Sequence, residues 1–495
     1  MKKFKKILAL VLGIMLMLSA VACSTGNGGS TDDMETYLQK QEQAYNKAKE
    51  SSKTTPSAVY KVGLRGLGSD VLPIGTFLGP MDGYYGNGYK LPSQINAKSF
   101  QQMKDCHVNY IMDPRNALDG VNGETLLNYA DEYQIAYIIS HRGLLNLEST
   151  AENAVVASGE VMAETLRSTV DNHPYFAGLY GRDEPSTLLY PKIDESIKEF
   201  AKARTALNAT DLTMYYNLFP PVGGNQLSYN TDSGLTYEQY LQGFLDCDPD
   251  YLMFDSYPFM EGTDRISGSW FNLLGQIASK ATENEVPWWG YVQCGGHYPD
   301  VNMGHRVVNE GEMNWNVNTM LAFGAKGYGY FPGFFPTEWA WQYPGVFTEE
   351  NTNDNSLINK YGTKTQSWYY AEKINKQVVA CDEYLMNSAH MGVIFTGDGP
   401  QACRYTGKGI ATLNSFRNLK KVSGDDSLIG CFDYKGGVAL YVMNNSIVEE
   451  RAEVTLEFDG EYGYKIIQRG ITDYLVGKTF TLTLQAGESA LVVIK

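Results

Sequence analysis

Residues 173–207 read HPYFAGLYGRDEPSTLLYPKIDESIKEFAKARTAL, and this stretch decides the fold. It begins with a short apolar run, Phe176–Gly181, which has the length of a buried parallel strand. A polar loop follows, and then Ile193, Ile197 and Phe200 recur at the spacing of a helix with one apolar face. A strand followed by an amphipathic helix is the repeating unit of an α/β fold.

The same unit recurs eight times between about residues 70 and 385. Eight units over roughly 315 residues match a (β/α)₈ TIM barrel with loop insertions. A doubly wound sheet is the competing architecture, but it would need a glycine-rich phosphate loop after an early strand, and the sequence has none. The predicted strands are Val71–Phe77, Val108–Met112, Ala136–Ser140, Phe176–Gly181, Leu212–Asn217, Tyr251–Asp255, Trp288–Gln293 and Gly327–Phe331. The predicted helices lie at about 96–106, 123–133, 151–171, 191–207, 237–245, 270–284, 310–324 and 365–386.

The apolar period changes to two from about residue 388 onward. Val438, Leu440 and Val442 alternate with other residues, and glycine-containing turns separate this run from similar ones. Such alternation is typical of strands with one buried face. The sequence therefore predicts a barrel over residues 61–387 and a β-sandwich over residues 388–495.

The amino-terminal residues indicate targeting. Residues 1–22 read MKKFKKILALVLGIMLMLSAVA, in which lysines precede an apolar run and small residues, as in a secretory signal peptide. The following string SAVAC resembles a bacterial lipobox, with Ala20 where leucine is most common. The resemblance implies cleavage before Cys23 and a lipid on its sulfur. Residues 23–60 are then a tether and helical segment, and the protein is expected outside the cytoplasmic membrane, bound to it by the lipid anchor.

The composition excludes several classes of protein. Of the 495 residues 43% are hydrophobic and 19% are charged, which excludes a disordered chain or a coiled coil. Acidic residues outnumber basic ones by 56 to 40, so nucleic acid is an unexpected partner. The six cysteines after Cys23 form no C-x-x-C pair and the six histidines no H-E-x-x-H. The sequence thus predicts no metal site and no cofactor.

Polar and aromatic side chains follow the predicted strands at their carboxyl ends, where the active sites of such barrels form. Carboxylates, carboxamides and tyrosine hydroxyls suit hydrogen bonding to sugar hydroxyls, and tryptophans can stack on sugar rings. The predicted partner is therefore an oligosaccharide or polysaccharide. The predicted substrate-binding residues are Asp113, Asp183, Asn217, Tyr257, Trp289, Tyr291, Gln293, Tyr330, Trp339 and Trp341.

The segment HPYFAGLYGRDEPS resembles the fourth-strand motif of the clan A glycoside hydrolases. In that motif Asn-Glu-Pro places the acid/base glutamate, and here the corresponding residues are Asp183, Glu184 and Pro185. The glutamate matches and the residue before it departs from the family. The resemblance implies a glycoside hydrolase with Glu184 as general acid, its pKa raised by an apolar, carboxylate-lined site.

Two later segments support the same resemblance. DSYPF at 255–259 and AFGAKGYGYFPGFFP at 322–336 look like strands 6 and 8 of barrel lipoproteins from gut bacteria. The resemblance covers about residues 70–385, and the carboxy-terminal module is similar to those appended to many glycosidases.

The second catalytic carboxylate is left open by the sequence. Retaining clan A enzymes take their nucleophile from a glutamate at the end of strand 7, where this chain has Gln293, and a carboxamide cannot replace that carboxylate. An inverting hydrolase would instead use another rim carboxylate as base. Asp255 at the end of strand 6 is the first candidate and Asp113 the next, and Glu338 is a further possible second carboxylate.

Two other readings of the site stay open. The first is a reaction assisted by the substrate, since residues 176–184 have the length of the strand 4 motif of family 18 chitinases. The three aspartates of that motif are replaced here by Ala177, Tyr180 and Arg182. The second is a protein that binds glycans without cleaving them, having kept the barrel and lost the chemistry.

Overall fold

The structure is a computed structural model that describes residue 39 and most of the chain from residue 57. The predicted signal peptide, Cys23, Glu338, Trp339 and Trp341 lie outside the described residues. The described ranges are 57–86, 89–147, 152–221, 235–260, 268–296, 304–336, 356–397, 405–407, 409–448 and 451–494.

Eight parallel strands form one sheet in the order β6-β7-β8-β1-β2-β3-β4-β5, so neighbours in the chain are neighbours in the sheet. The two end strands are joined where Leu218 pairs with Phe254 and the Leu218 N–H donates to the Met253 oxygen at 2.9 Å. This pairing closes the sheet into a barrel, which confirms the predicted fold. The strands are β1 Ile74–Phe77, β2 Tyr110–Ala117, β3 Ala136–Ser140, β4 Phe176–Asp183, β5 Thr213–Asn217, β6 Leu252–Phe254, β7 Trp288–Gln293 and β8 Tyr328–Phe331.

Helices follow the barrel strands at the predicted places. Two of them begin with reciprocal capping boxes, Thr236 with Gln239 and Asn309 with Glu312, which satisfy backbone N–H groups at the helix start. The helices in the described ranges are α1 Ala97–Asp105, α2 Gly123–Tyr133, α3 Gly159–Asn172, α4 Tyr190–Leu207, α5 Tyr237–Leu245, α6 Trp270–Glu283, α7 Glu310–Ala322 and α8 Gln366–Met386.

The third helix begins later than the sequence pattern predicts. Residues 151–171 were expected to be helical, but Val155–Val156 pairs with Leu145–Asn146 in a short antiparallel hairpin. Ser158 then caps α3 by accepting a hydrogen bond from the Val161 N–H at 3.4 Å. Two adjacent β-branched valines favour the extended backbone, so the serine cap marks the start of the helix.

The interior of the barrel is a packed aromatic core with no central channel. Trp289 is fully buried there and stacks on Tyr251, with ring centroids 4.3 Å apart. Nearer the carboxyl end, Phe77 meets the edge of the Tyr291 ring at 5.4 Å. The barrel floor is thereby filled, and polar side chains can gather only above it.

Seven antiparallel strands follow α8, in the order β9-β11-β12-β15-β13-β10 with β14 paired to β13. The alternating residues Val438, Leu440 and Val442 belong to a separate apolar core, as predicted. These strands form the carboxy-terminal β-sandwich. Their bounds are β9 Ser388–Phe395, β10 Leu419–Gly424, β11 Ser427–Tyr434, β12 Gly437–Asn444, β13 Ala452–Gln468, β14 Ile471–Leu484 and β15 Ser489–Ile494.

The sandwich packs against α7 and α8 of the barrel through buried polar contacts. The Tyr441 hydroxyl donates to Asn318 Oδ1 at 2.7 Å, and Trp315 Nε1 donates to Asn445 Oδ1 at 3.0 Å. These bonds satisfy polar groups inside an otherwise apolar contact, which fixes one relative position of the two modules. Within the described ranges, no helix is long and apolar enough to cross a bilayer.

Candidate active site

Three consecutive strands bring three predicted site residues into direct contact. Asp183 ends β4, Asn217 ends β5, and Asp255 follows β6. The Asn217 amide nitrogen donates to Asp183 Oδ1 at 2.8 Å and to Asp255 Oδ1 at 3.0 Å. Asn217 is 2% exposed and Asp255 8% exposed, so these hydrogen bonds are buried at the carboxyl end of the barrel. We refer to Asp183, Glu184, Asn217 and Asp255 as the carboxylate cluster.

Glu184 owes its position to a sharp turn at the end of β4. Its backbone is left-handed, with φ of 47°, and its N–H donates to the Asn217 carbonyl oxygen at 2.8 Å. The preceding N–H, of Asp183, donates to the Tyr180 hydroxyl at 2.9 Å. A left-handed non-glycine residue costs on the order of 1–2 kcal/mol, and such backbone is concentrated at functional sites.

The pKa values of two carboxyl groups in the cluster, Glu184 and Asp255, are raised. The pKa of Glu184 is raised mainly by burial, then by the charges of Asp255 and Asp183, and Arg182 opposes the rise. The pKa of Asp255 is raised by burial and by Asp183, while the hydrogen bond from Asn217 opposes the rise. Glu184 therefore keeps its proton at neutral pH, and a protonated carboxyl is what a general acid requires.

Aromatic side chains line the cluster from below and from one side. Tyr257 stacks on Phe331, with centroids 5.3 Å apart, and meets the edge of the His305 ring at 5.5 Å. Beneath them the hydroxyls of Tyr215 and Tyr291 hydrogen-bond to each other. Burial and nearby carboxylates raise the pKa of Tyr257 well above its ordinary value, so its hydroxyl stays protonated.

His305 was not predicted from the sequence. Burial lowers its pKa to about 4, so the imidazole is neutral at physiological pH. The residue lies between β7 and α7 in a segment without any helical or strand period. Only its residue type could have drawn attention to it, and an isolated histidine is a weak signal.

Gln293, which is predicted to bind substrate, lies at the end of β7 inside the protein. It is fully buried, and its Oε1 accepts from the Phe259 N–H at 3.0 Å. Its Nε2 donates to the carbonyl oxygens of Phe259 and Arg306, both at 2.8 Å. The carboxamide thus ties two loops to the end of β7, and both of its N–H donors are used within the protein.

Three other residues that are predicted to bind substrate have their contacts elsewhere in the barrel. Asp113 is fully buried and accepts from the Tyr137 hydroxyl at 2.7 Å, besides three donors in its own turn. Trp289 lies deep in the barrel core. The Tyr330 hydroxyl points out of the barrel and donates to Asn375 on α8 at 2.8 Å. None of the three reaches the carboxylate cluster.

Comparison with solved structures shows that the fold of this chain is similar to that of several known proteins. A catalytic mutant of Gan42B, a GH42 β-galactosidase from G. stearothermophilus, has a TM-score of 0.53 at 10% identity, over 88% of this chain and 100% of that chain. A second structure of Gan42B has a TM-score of 0.54 at 9% identity, with the same coverage. A β-galactosidase from Bacillus circulans sp. alkalophilus has a TM-score of 0.49 at 7% identity, over 86% of this chain and 99% of that chain.

The chain therefore has the barrel-and-sandwich fold that glycoside hydrolases also use. At such low identity the likeness concerns the fold alone, since one barrel fold supports many chemistries. No protein-family model matches the chain, and no curated protein sequence is significantly similar to it.

Proposed function

We propose that the protein is a glycoside hydrolase that acts on an oligosaccharide or polysaccharide, with Glu184 as its general acid. The observation that carries the proposal is the carboxylate cluster itself. Asp255, which follows β6, is close enough to Glu184, which follows β4, for its charge to raise the pKa of Glu184 at the carboxyl end of a glycosidase-type barrel. Hydrolysis of a glycosidic bond typically requires two carboxyl groups whose pKa values differ, one protonated and one ionised.

The two carboxyl groups suit different tasks. Glu184 accepts no side-chain hydrogen bond within the described ranges, so nothing there favours its ionised form except the charge of Arg182. Asp255 accepts a hydrogen bond from Asn217, which favours its ionised form. Asp255 thus ionises first and Glu184 keeps its proton. In this assignment Glu184 protonates the glycosidic oxygen while Asp255 takes a proton from the attacking water.

The burial of Gln293 supports an alternative of a different class, a lipoprotein that binds glycans without cleaving them. In this reading the position that carries the nucleophile in retaining clan A enzymes has become part of the loop scaffold. The barrel rim would then keep its affinity for sugars without turnover. Cleavage that depends on Glu184 separates the two functions.

The test is Glu184→Gln, which keeps the shape and hydrogen bonding of the side chain but cannot supply a proton. Oligosaccharides are screened for cleavage by the wild type, and binding to the same sugars is measured in parallel. We expect turnover to fall by about 10²–10⁴ while affinity changes little. Glu164→Gln, on the exposed face of α3, is the matched control and should retain full activity.

Two results would contradict the proposal. Full activity of Glu184→Gln would remove Glu184 from the mechanism. Binding without cleavage, by the wild type and for each sugar that it binds, would favour the noncatalytic alternative.

We also propose that the protein is an extracytoplasmic lipoprotein held at the membrane by a lipid on Cys23. The support is the sequence alone, namely the lysine-rich start, the apolar run and the SAVAC string.

A further inference from the structure

The turn that carries Glu184 is held by hydrogen bonds at two consecutive residues. The Glu184 N–H donates to the carbonyl oxygen of Asn217 at 2.8 Å, and the Pro185 carbonyl oxygen accepts from the Tyr240 hydroxyl at 2.9 Å. Proline has no N–H, so the carbonyl oxygen is the one backbone group through which Pro185 can be hydrogen-bonded. The first bond joins the turn to the neighbouring strand β5, and the second joins it to the helix α5.

The Tyr240 hydroxyl connects this turn to the loop after β5. It accepts a hydrogen bond from the Phe219 N–H at 3.2 Å while it donates to Pro185. Tyr240 is fully buried, and this burial raises its pKa well above the ordinary value, with smaller contributions from Tyr190 and from the charge of Glu184. The hydroxyl therefore keeps the proton that it donates to the Pro185 carbonyl oxygen.

The position of Tyr240 is fixed by the start of α5. The capping box of Thr236 and Gln239 sets the first turn of this helix. Tyr237 lies three residues before Tyr240, on the same face, and its hydroxyl donates to the Phe219 carbonyl oxygen at 2.9 Å. Tyr237 thus binds the loop after β5, and Tyr240 binds both that loop and the Glu184 turn.

The left-handed backbone of Glu184 makes this support important. A glutamate with φ of 47° keeps that conformation only where its surroundings hold it. Without the Tyr240 hydroxyl, the buried Pro185 carbonyl oxygen would lose its donor, and the turn could relax toward one that satisfies it. The side chain of Glu184 would move with its backbone. A displacement of about 1 Å at a reacting group can cost about 10²-fold in rate.

We propose that Tyr240 is a positioning residue for Glu184, whose hydroxyl holds the Pro185 carbonyl oxygen and thereby keeps the Glu184 carboxyl group in place to protonate a leaving group. This inference rests on the proposed function, in which the Glu184 proton passes to the glycosidic oxygen as the bond from C1 to that oxygen breaks. Tyr240 acts through the backbone of the turn and needs no contact with the sugar.

The first experiment varies how much the reaction needs a proton. Phenyl glycosides carry a poor leaving group that needs a general acid, whereas dinitrophenyl glycosides carry one that leaves without a proton. Both anomers of the gluco and galacto series are the probes. We expect Tyr240→Phe to lower kcat/KM for the phenyl glycoside by about 10–10²-fold and for the dinitrophenyl glycoside by less than about threefold. Glu184→Gln should show the same pattern more strongly.

Tyr216→Phe is the matched control for this experiment. Tyr216 is also buried, on β5, but its hydroxyl shares a hydrogen bond with the Ser196 hydroxyl of α4 at 2.5 Å. Both variants therefore lose one buried hydroxyl. A general loss of folded protein lowers the rates for both glycosides alike, so the ratio of the two rates should be unchanged in Tyr216→Phe.

The second experiment needs no turnover. Amide hydrogen exchange is followed by mass spectrometry in peptides that cover residues 181–189 and so include the hydrogen-bonded Glu184 N–H. We expect Tyr240→Phe to speed exchange in these peptides at least about tenfold, because local opening of the turn becomes easier. Tyr237→Phe breaks the bond to the Phe219 carbonyl oxygen and keeps the bond to Pro185, so it should leave exchange there unchanged.

The outcomes separate this inference from the proposed function. Glu184-dependent cleavage whose dependence on the leaving group is the same in Tyr240→Phe and wild type would overturn the inference and keep the proposed function. Faster exchange in Tyr240→Phe alone, without any cleavage by the wild type, would keep Tyr240 as the residue that holds the turn and count against the hydrolase. Unchanged exchange in Tyr240→Phe, or an equal effect in Tyr237→Phe, would overturn the inference.

Discussion

Replacing Asp255 by asparagine should stabilise the folded protein, and the gain should grow as the pH rises. In the unfolded chain an aspartate loses its proton near pH 3.9, whereas in the fold burial and the charge of Asp183 raise the pKa of Asp255. Between these two pKa values the folded state binds more protons than the unfolded state, so wild-type stability falls with increasing pH. The variant has no such proton, and Asn217 can still donate to its side-chain oxygen.

The size of the effect follows from burial. Each unit by which the folded-state pKa exceeds the unfolded value costs about 1.4 kcal/mol of stability above both values. Fully buried carboxyl groups shift by up to about 3–5 units, and the hydrogen bond from Asn217 offsets part of the shift of Asp255. We therefore expect Asp255→Asn to gain about 2–4 kcal/mol at pH 8.5 and under about 0.5 kcal/mol at pH 4.

The assay is urea unfolding followed by tryptophan fluorescence at both pH values. Asp433→Asn is the matched control with the opposite sign. Asp433 is buried, which alone would raise its pKa, but the Arg417 guanidinium and the N–H groups of Ser57 and Gly436 hold that pKa below its ordinary value. Its stabilising contribution is present above pH 4 and lost as the pH falls, so this variant should be destabilised most at pH 8.5.

A clear result would refute the reasoning. If Asp255→Asn had an unchanged or lower unfolding midpoint at pH 8.5 while Asp433→Asn was destabilised, Asp255 would not be held at an electrostatic cost. The acid/base assignment within the carboxylate cluster would then lose its basis.

Three further predictions concern activity, scaffold and anchoring. In the hydrolase, kcat/KM should rise with pH along an acidic limb displaced upward from the pKa of an ordinary aspartate, because the pKa of Asp255 is raised. Asp255→Asn should abolish that limb in a pH–rate profile. Gln293→Glu should not raise activity and should lower the thermal midpoint, since a buried carboxylate would face the carbonyl oxygens of Phe259 and Arg306. Circular dichroism on heating measures this loss. Cys23→Ala should lack acyl label and leave the membrane fraction in a metabolic labelling experiment, because it removes one apolar anchor.

The sequence predicts the barrel well because parallel strands are buried on both faces. Such strands appear as continuous apolar runs of strand length, and all eight runs became strands. The same property hides the direction of each side chain, since a run without alternation does not tell which residues face inward. Trp289, Tyr291 and Gln293 share the inward face of β7, whereas Tyr328 and Tyr330 both face Asn375 outside.

The sequence also does not show how deep in the barrel a residue lies. Residues along a strand rise by about 3.3 Å each, so Trp289 lies on the order of 13 Å below Gln293 and cannot take part in the rim. Gln293 does stand at the end of its strand, as predicted, but the loops after β6 and β7 use its hydrogen-bonding groups. No local pattern could reveal those partners, because they come from distant positions in the chain.

The departure of Asp183 from the family motif has a physical counterpart in Asn217. In the clan A motif an amide precedes the acid/base glutamate, whereas here a carboxylate holds that position and the amide stands at the end of the next strand. The 2.8 Å hydrogen bond from Asn217 to Asp183 keeps one carboxamide and one carboxylate side by side. From the end of β5 the same amide nitrogen also donates to Asp255. A single side chain therefore connects the ends of β4, β5 and β6. The hydrogen bond from Asn217 lowers the cost of placing the charge of Asp183 beside Glu184, and that charge in turn raises the pKa of Glu184.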